Sequence, residues 1–380
     1  MTEIPGELPS SPGTSGRGLG FESQRGHVTA PDLETPAVVV DREILDRNIA
    51  RMAADMRERG LALRPHVKTH KIPEIARLQL AAGAVGLTVA TVGEAEVFVE
   101  HGADDVFVAY PLWVTERMAQ RLRALTARAR VAIGVDSVVA AARAGSLLNG
   151  SDVEVLVEVD SGHHRSGVDP ARVVEVATAA RDAGLRVIGA FTFPGHSYGP
   201  DAAIAAARDE REALERARDL LTAAGVEVSR LSGGSTPSIR ATEPGGATEV
   251  RPGVYVFGDA QQWELGHCAP ADIALTVLAT VVSAQADHVI LDAGSKVLGA
   301  DRPAWMPGHG RLLDHPEVRI TALSEHHATV VGANLPGLGE RVRVVPNHVC
   351  TVLNLVDEVA VARGGVLDER WVVAARGRNS

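Results

Sequence analysis

Cysteine and long hydrophobic runs are both scarce in this chain of 380 residues. The two cysteines, Cys268 and Cys350, lie far apart in the sequence, so they do not form the disulfide framework of a small secreted protein. We therefore expect a reducing, cytoplasmic location. No uninterrupted apolar run approaches the ~18 residues that a membrane-spanning helix requires, so we expect no membrane association.

An excess of positive charge is also missing. The formal net charge is −10 at pH 7, which argues against a protein that follows the phosphate backbone of a nucleic acid. The hydrophobic fraction of 45% is ordinary for a globular protein, and the length suffices for one large domain and one smaller domain. Residues 1–26 are rich in Gly, Ser, Pro and Glu and lack a secretory signal, so we expect a disordered tail there.

Lysine is the rarest charged residue, because it occurs only at Lys68, Lys71 and Lys296. Arginine can replace lysine where only positive charge is needed, but it cannot deprotonate to an amine that attacks a carbonyl. A lysine that remains in such a chain is therefore a candidate for Schiff-base chemistry, as in enzymes that hold pyridoxal phosphate. The alternative is that a few lysines remain by chance.

Short β-branched runs alternate with Ala-, Arg- and Glu-rich segments of helical periodicity between residues 35 and 259. Eight runs are predicted to be strands: 61–68, 86–91, 105–110, 130–136, 154–160, 186–193, 227–233 and 249–257. Helix-like segments separate most of them, which implies parallel pairing, and eight such units are typical of a TIM (β/α)8 barrel. The competing fold, an open doubly wound sheet, usually carries a GxGxxG fingerprint, and none follows the first strand.

From about residue 267 the pattern changes to β-like runs separated by Pro and Gly turns. These runs are 274–283, 288–292, 319–323, 328–331, 341–345 and 352–356. We therefore predict an α/β protein with a barrel domain at residues 27–266 and a second, mainly β domain at residues 267–380.

Polar residues stand at the predicted ends of the barrel strands, where the chemistry of a parallel barrel takes place. Lys68 ends the first predicted strand. Asp160 ends the fifth, where it is either a residue of the active site or the N-cap of a helix. The seventh strand runs into the loop 232–238, in which paired glycines let backbone N–H groups approach an anion and Ser235 and Thr236 add hydroxyls. This loop is predicted either to bind phosphate or to be an ordinary flexible turn.

The second domain contains a His-x-Cys pair, His348 and Cys350, before an apolar run. On a strand the two side chains would face the same side, and imidazole nitrogen with thiolate sulfur suits zinc. Two protein ligands leave open positions for water or substrate, as a catalytic metal requires; the alternative is a buried histidine beside an inert buried cysteine. A further cluster at 325–327, Glu-His-His, either supports such a site or forms a solvated hairpin.

Five motifs together resemble the alanine-racemase-like, fold-type III pyridoxal phosphate enzymes. They are RPHVKTHK at 64–71, SGGSTPS at 232–238, EVRPGVYVFGD at 249–259, DAGSKVL at 292–298 and PNHVC at 346–350. The likeness covers roughly residues 30–375 and is strongest to the branch of metal-dependent D-serine dehydratases and D-threonine aldolases. RPHVKTHK and PNHVC are its most specific parts, because glycine loops alone are weak signals.

The resemblance implies a barrel that carries pyridoxal phosphate, a β domain, and pairing of two copies in a head-to-tail homodimer. The residues that it implies for the cofactor are Lys68 for the Schiff base, Arg165 near the ring hydroxyl, Tyr198 near the pyridine ring, and Gly234, Ser235, Thr236 and the backbone around Gly253 for the phosphate. His348 and Cys350 match the metal pair. Cys350, where the aldolases tend to have a carboxylate, is similar to the zinc-dependent dehydratases. The segment 193–195 departs from the family pattern.

The function that the resemblance implies is a pyridoxal phosphate- and zinc-dependent D-serine dehydratase, or a dehydratase of a related D-3-hydroxy amino acid, which releases a 2-oxo acid and ammonia. Lys68 would take the α-proton, and the metal would act as a Lewis acid on the β-hydroxyl. One alternative is a D-threonine aldolase that releases glycine and an aldehyde. A racemase is disfavoured because no opposite-face tyrosine base is evident, and a non-catalytic pyridoxal phosphate-binding protein is disfavoured by the presence of residues 267–380.

Overall fold

The protein is described by a computed structural model that covers residues 33–380. The disordered tail predicted at residues 1–26 lies outside this part of the chain. The first elements are strand β1 (Ala37–Asp41) and helix α1 (Arg42–Glu58). Asp41 caps the helix, because its carboxylate accepts a hydrogen bond of 3.0 Å from the backbone N–H of Ile44.

Eight parallel strands form the barrel, and each overlaps its predicted run, although the first and the eighth are only two residues long. They are β2 (Ala62–Leu63), β3 (Leu87–Val89), β4 (Asp105–Pro111), β5 (Arg130–Val135), β6 (Glu154–Glu158), β7 (Arg186–Phe191), β8 (Arg230–Gly233) and β9 (Glu249–Val250). Their order in the sheet is β2-β9-β8-β7-β6-β5-β4-β3, and a parallel bridge between His66 and Thr88 joins the two edges. The prediction of a TIM-type barrel is confirmed.

A helix follows each of the first six barrel strands. These helices are α2 (Pro73–Ala81), α3 (Val92–Glu100), α4 (Glu116–Thr126), α5 (Val138–Leu148), α6 (Val173–Asp182) and α7 (Ala203–Ala223). The hydroxyls of Thr91, Thr115 and Ser137 accept hydrogen bonds from N–H groups in the first turns of α3, α4 and α5, so these helices begin at side-chain caps. No helix in residues 33–380 combines the length and the apolar character that crossing a membrane requires.

The second domain is mainly β, as predicted. After α8 (Ala260–Glu264) it consists of β10 (Leu275–Ala284), β11 (His288–Leu291), α9 (Ser295–Leu298), β12 (Gly310–Leu312), β13 (Arg319–Leu323), β14 (Ala328–Val331), β15 (Arg341–Pro346), α10 (Val349–Val352), β16 (Glu358–Arg363) and β17 (Val366–Val372). Strand β1 pairs with β10 and β16. The segment 27–266 that was predicted as barrel therefore contains one strand of the second domain's sheet, because a short valine run does not reveal which sheet it joins.

The prediction of a strand at 352–356 is wrong, and so is the strand geometry considered for His348 and Cys350. Strand β15 ends at Pro346, which has no N–H for a further ladder bond, and α10 begins three residues later, at Val349. Val352 and Leu353 are nevertheless fully buried. A short apolar run reports burial and does not by itself distinguish a strand from a buried helical turn.

Candidate active site

A pocket of about 270 Å³ opens where the C-terminal ends of the barrel strands meet the second domain. Both domains line it, with His66, Lys68, Thr69, Phe193, Tyr198, Ser235, Thr236, Arg251, Gly253, Val254, Gln261, Asp301, His348 and Cys350. An adjoining opening of about 500 Å³ shares His66 and Lys68 and extends to Arg165. The structure thus brings the lysine, the predicted phosphate loop and the His-x-Cys pair to one pocket.

The three lysines differ in their partners. Lys71 forms an ion pair of 2.9 Å with Glu94, and Lys296 forms one of 2.7 Å with Glu325 at the surface. Within the described chain Lys68 has no carboxylate partner, and it alone lines the pocket. Its amine is therefore the one that is free to react with a carbonyl compound bound there.

The surroundings of Lys68 favour the neutral amine. Burial lowers the pKa of Lys68, and Arg165 and Arg251 lower it further against an opposing effect of Cys350. The residue sits in a one-turn 3-10 helix after β2, with its Nζ atom 5.7 Å from the centroid of the Phe193 ring. A lowered pKa makes the amine both a better nucleophile and a usable base near neutral pH.

The loop after β8 offers an unsatisfied donor to the pocket. Thr236 Oγ1 is buried and has no hydrogen-bond partner among residues 33–380, whereas Ser235 Oγ meets other serine hydroxyls at 2.8 Å. A Cβ atom on Gly253 would lie 2.4 Å from Thr69 Oγ1, so only glycine fits on the opposite wall. Phosphate oxygens are strong hydrogen-bond acceptors, and one of them would accept a hydrogen bond from the Thr236 hydroxyl. The missing side chain of Gly253 leaves space for the phosphate.

Gly234, a predicted phosphate contact, has a protein partner for its backbone N–H. Its backbone N–H donates to the Oε2 atom of Glu210, on α7, at 2.7 Å. Gly234 has φ of +80°, and a Cβ atom on the neighbouring Gly233 would lie 2.7 Å from the Glu210 carboxyl carbon. Glu210 is fully buried, and burial raises its pKa to about 7. The carboxyl therefore holds the loop from behind, and the donors left for an anion are the following hydroxyls and N–H groups.

Glu210→Gln should change how stability depends on pH. Because the pKa of Glu210 is raised above its ordinary value of 4.5, its contribution to stability is complete below pH 4.5 and is lost as pH rises through about 7. A glutamine does not titrate. Relative to wild type, the variant should therefore gain about 3 kcal/mol of unfolding free energy between pH 4.5 and pH 8, measured by urea unfolding. Glu212→Gln, exposed on the same helix, is the control, and equal pH slopes for Glu210→Gln and wild type would contradict the buried titration.

His348 and Cys350 lie together at the start of α10. The carboxylate of Asp259 is fully buried and lies 3.1 Å from His348 Nδ1, which leaves Nε2 for the pocket, and Cys350 Sγ lies 3.4 Å from Thr69 Oγ1. Burial opposes charge on both groups, but Cys350 and Asp259 raise the pKa of His348 well above its usual value. In turn, His348 and Lys68 lower the pKa of the Cys350 thiol. A thiolate beside an imidazole that a carboxylate orients is a donor set that suits zinc.

Asp259 is a functional residue that the sequence reasoning missed. It caps α8 through Oδ1, which accepts from the N–H of Gln262 at 2.8 Å, and it holds His348 through Oδ2. The available signal was an aspartate directly before a helix at the end of a recognised motif. Across residues 33–380 no group of three or more His, Cys, Asp or Glu side chains is arranged to hold a metal, so His348 and Cys350 would leave the other positions to water or substrate.

Phe193 was also missed, although it lies in the segment that departs from the family pattern. Its ring centroid lies 5.1 Å from the Arg165 guanidinium and 6.4 Å from the Tyr198 ring, in addition to its contact with Lys68. Burial raises the pKa of Tyr198, so its phenol stays neutral. Phe193 thus forms the common wall between three predicted site residues.

Arg251 is a further charged residue of the pocket lining. It is buried in the barrel interior, where it donates to Ser232 Oγ at 2.7 Å and to the carbonyl of Thr192 at 2.6 Å. Asp160 instead shapes its own loop, because its Oδ1 accepts from the N–H groups of Gly162 and His164. The cluster 325–327 is exposed in the hairpin between β13 and β14, away from the pocket.

Two family models match most of the chain: the alanine racemase N-terminal domain at residues 40–261 and a putative serine dehydratase domain at residues 274–362. The chain is 38% identical over 347 residues to D-threo-3-hydroxyaspartate dehydratase of Delftia sp. (strain HT23). The aligned region covers 84% of this chain and 91% of that relative. It is 34% identical over 361 residues to D-threonine aldolase of Arthrobacter sp., and the aligned region covers 91% of this chain and 93% of that relative. A solved variant of a D-threo-3-hydroxyaspartate dehydratase, in a metal-free form, superposes with a TM-score of 0.83 at 34% identity, over 91% of this chain and 98% of that one.

Proposed function

Because the chain belongs to the alanine racemase family of fold-type III pyridoxal phosphate enzymes, we propose that it is a lyase that dehydrates D-serine, or a related D-3-hydroxy amino acid, to a 2-oxo acid and ammonia. One observation carries the proposal: a lysine and a hydroxyl of the predicted phosphate loop, both without hydrogen-bond or ion-pair partners among residues 33–380, line the same pocket as the His-x-Cys pair. The names of the relatives support a D-3-hydroxy amino acid as substrate.

Lys68, Thr236, Ser235 and the backbone around Gly253 would hold pyridoxal phosphate, with Arg165 and Tyr198 beside its ring. When bound, the cofactor supplies an electron-withdrawing ring that acidifies the Cα–H of an attached amino acid. The neutral amine of Lys68 then takes the α-proton onto Nζ, which its lowered pKa permits near neutral pH. The Phe193 ring lies beside the amine and the Tyr198 ring lies beside Phe193, which places apolar surface next to Nζ.

His348 Nε2 and Cys350 Sγ would hold a divalent metal, for which zinc is our proposal because of the thiolate. A bound zinc supplies a Lewis acid for the β-hydroxyl, since hydroxide is a poor leaving group at neutral pH. The metal-free form of a dehydratase relative supports a metal in this family. Cys350 also favours dehydration over retro-aldol cleavage, since the aldolases that the chain resembles tend to have a carboxylate there.

The function test is a screen of the purified protein, loaded with pyridoxal phosphate and zinc. D-serine, D-threonine and D-threo-3-hydroxyaspartate are supplied separately, and 2-oxo acid and aldehyde are measured separately. We expect 2-oxo acid and ammonia in equal amounts. Aldehyde and glycine as the main products would support the aldolase alternative, which the match to D-threonine aldolase favours. No turnover of any D-amino acid with the cofactor bound would support a non-catalytic role.

We also propose that the protein is a cytoplasmic homodimer, as the resemblance implies. Light scattering after size-exclusion chromatography tests the association, with about twice the chain mass of 39.9 kDa as the expected result. A monomeric mass with full activity would remove the dimer from the proposal.

Asp259→Asn should weaken metal binding. The asparagine keeps a hydrogen-bonding group beside His348 Nδ1 but loses the charge that orients the imidazole and raises its basicity. We expect zinc affinity to fall by about 10- to 100-fold, measured by competition with a chromogenic chelator. Asp272→Asn, a partly exposed aspartate that also caps a helical turn, is the matched control. Unchanged zinc affinity in Asp259→Asn would contradict the orienting role.

A further inference from the structure

A second cavity, of about 240 Å³, lies behind the phosphate loop. It is bounded by α1, by the 3-10 turn that follows the loop and by α8, and Thr236 lines both this cavity and the active-site pocket. None of the residues to which a catalytic, cofactor-binding or metal-binding role is given above, other than Thr236, lines this cavity.

The cavity is lined by a buried amide that lacks partners. Gln262 is 1% exposed, and neither its Nε2 nor its Oε1 has a hydrogen-bond partner among the described residues. Buried side-chain amides nearly always find partners, so an occupant that both accepts and donates hydrogen bonds is expected beside this one. The cavity is larger than a single water molecule requires.

Around the cavity, the arginines outnumber by one the aspartates with which they pair. Asp55 is held by Arg59 through two hydrogen bonds of 3.0 and 2.6 Å. Asp272 is held by Arg51 at 2.9 Å. In the described part of the chain Arg240 has no carboxylate partner, although it lies beside the cavity. The cavity therefore favours an occupant with one negative charge.

We propose that this cavity is a second binding site, for a small carboxylic acid that carries a hydroxyl or amino group next to its carboxylate. Arg240 and the Nε2 group of Gln262 donate to the carboxylate, and the Oε1 atom of Gln262 accepts from the adjacent group. The volume suits a molecule at the small end of the range for ligand sites. The proposal does not depend on which substrate the active site takes.

Occupancy of this site reaches the cofactor through Thr236. A ligand behind the loop restricts Thr236, which also lines the active-site pocket, so ligand and cofactor should influence each other's binding reciprocally. The ³¹P resonance of bound pyridoxal phosphate should therefore shift when the second site fills.

The test is calorimetric titration of the holoenzyme with L-lactate, an L-acid chosen because the proposed active site is specific for D-amino acids. We expect one L-lactate site per chain, with acetate, which has no adjacent donor, at least about 10-fold weaker. Gln262→Met, similar in shape but without the amide, should weaken L-lactate at least about 10-fold and remove the ³¹P shift. D-serine turnover of this variant should stay unchanged.

Two outcomes would overturn the proposal: absence of L-lactate binding, or equal affinity in wild type and Gln262→Met. Loss of binding in Cys350→Ala but not in Gln262→Met would place L-lactate in the active site and overturn it as well. If Gln262→Met does not fold, Arg240→Gln carries the test. Arg240 is exposed, so this variant should fold, and the loss of its charge should likewise weaken L-lactate.

Discussion

Lys68→Ala should abolish both turnover and the absorbance near ~420 nm of the lysine-bound cofactor. The expected loss of turnover is on the order of 1,000-fold or more, because the residue is proposed to act both as the covalent anchor and as the base. The structural reason is specific to this lysine: it lines the pocket and has no carboxylate partner in the described part of the chain, whereas Lys71 is paired with the buried Glu94. Absorbance spectroscopy after addition of pyridoxal phosphate measures the first effect, and a 2-oxo acid assay measures the second.

Two controls separate chemistry from charge. Lys68→Arg keeps the positive charge but cannot form the imine, so it should lose the same band. Lys296→Ala removes an exposed lysine that is paired with Glu325 at the surface, and it should keep both the band and the activity. A band that survives in Lys68→Ala would place the cofactor on another lysine and would remove the proposed base.

Removal of the metal should have the second largest effect. Treatment with a chelator, or the substitutions His348→Ala and Cys350→Ala, should lower the rate of 2-oxo acid formation from D-serine by about 100-fold or more, since a Lewis acid contributes several kcal/mol to the departure of a hydroxyl. Added zinc should restore the chelated wild type but not the two variants. Elemental analysis of the purified proteins measures the metal content directly.

The other cysteine supplies a matched control. Cys268 lies beside the backbone carbonyl of Asp259, and burial raises the pKa of its thiol to about 12, so it stays protonated and is a poor metal ligand. Cys268→Ala should therefore keep its zinc and its activity. Full activity of the wild type in chelator, with no metal detected, would remove zinc from the proposed function.

The barrel was predictable because its signals are local and repeated. Each strand is a short β-branched run, each helix has an apolar face, and Thr91, Thr115 and Ser137 mark helix starts directly in the sequence. The same pattern predicted Lys68 at the carboxyl rim of the barrel, since parallel strands place their carboxyl ends at one rim. The prediction that Lys68 itself ends the strand is wrong, because β2 ends at Leu63 and Lys68 lies in the 3-10 helix that follows. The composition alone drew attention to Lys68, because the chain contains so few lysines.

What could not be predicted depends on contacts between distant segments. Glu210 reaches the N–H of Gly234 from a helix 24 positions earlier, and Asp259 reaches His348 across 89 positions. Nothing in a helical glutamate distinguishes Glu210 from an ordinary surface residue before the chain is folded, and the motif that ends at Asp259 does not reveal that His348 is its partner. Likewise, the cavity around Gln262 arises from the packing of three separate segments and leaves no pattern in the sequence.

Strand β1 links the sequence before the barrel to the sequence after it. It lies between β10 and β16, so its sheet cannot close on both of its sides until residues near position 360 have been made. The barrel strands, which are encoded between β1 and β10, are synthesised before that sheet is complete. A gene fragment that encodes only residues 267–380 therefore lacks an interior strand, and we expect its product to aggregate through the two edges left exposed.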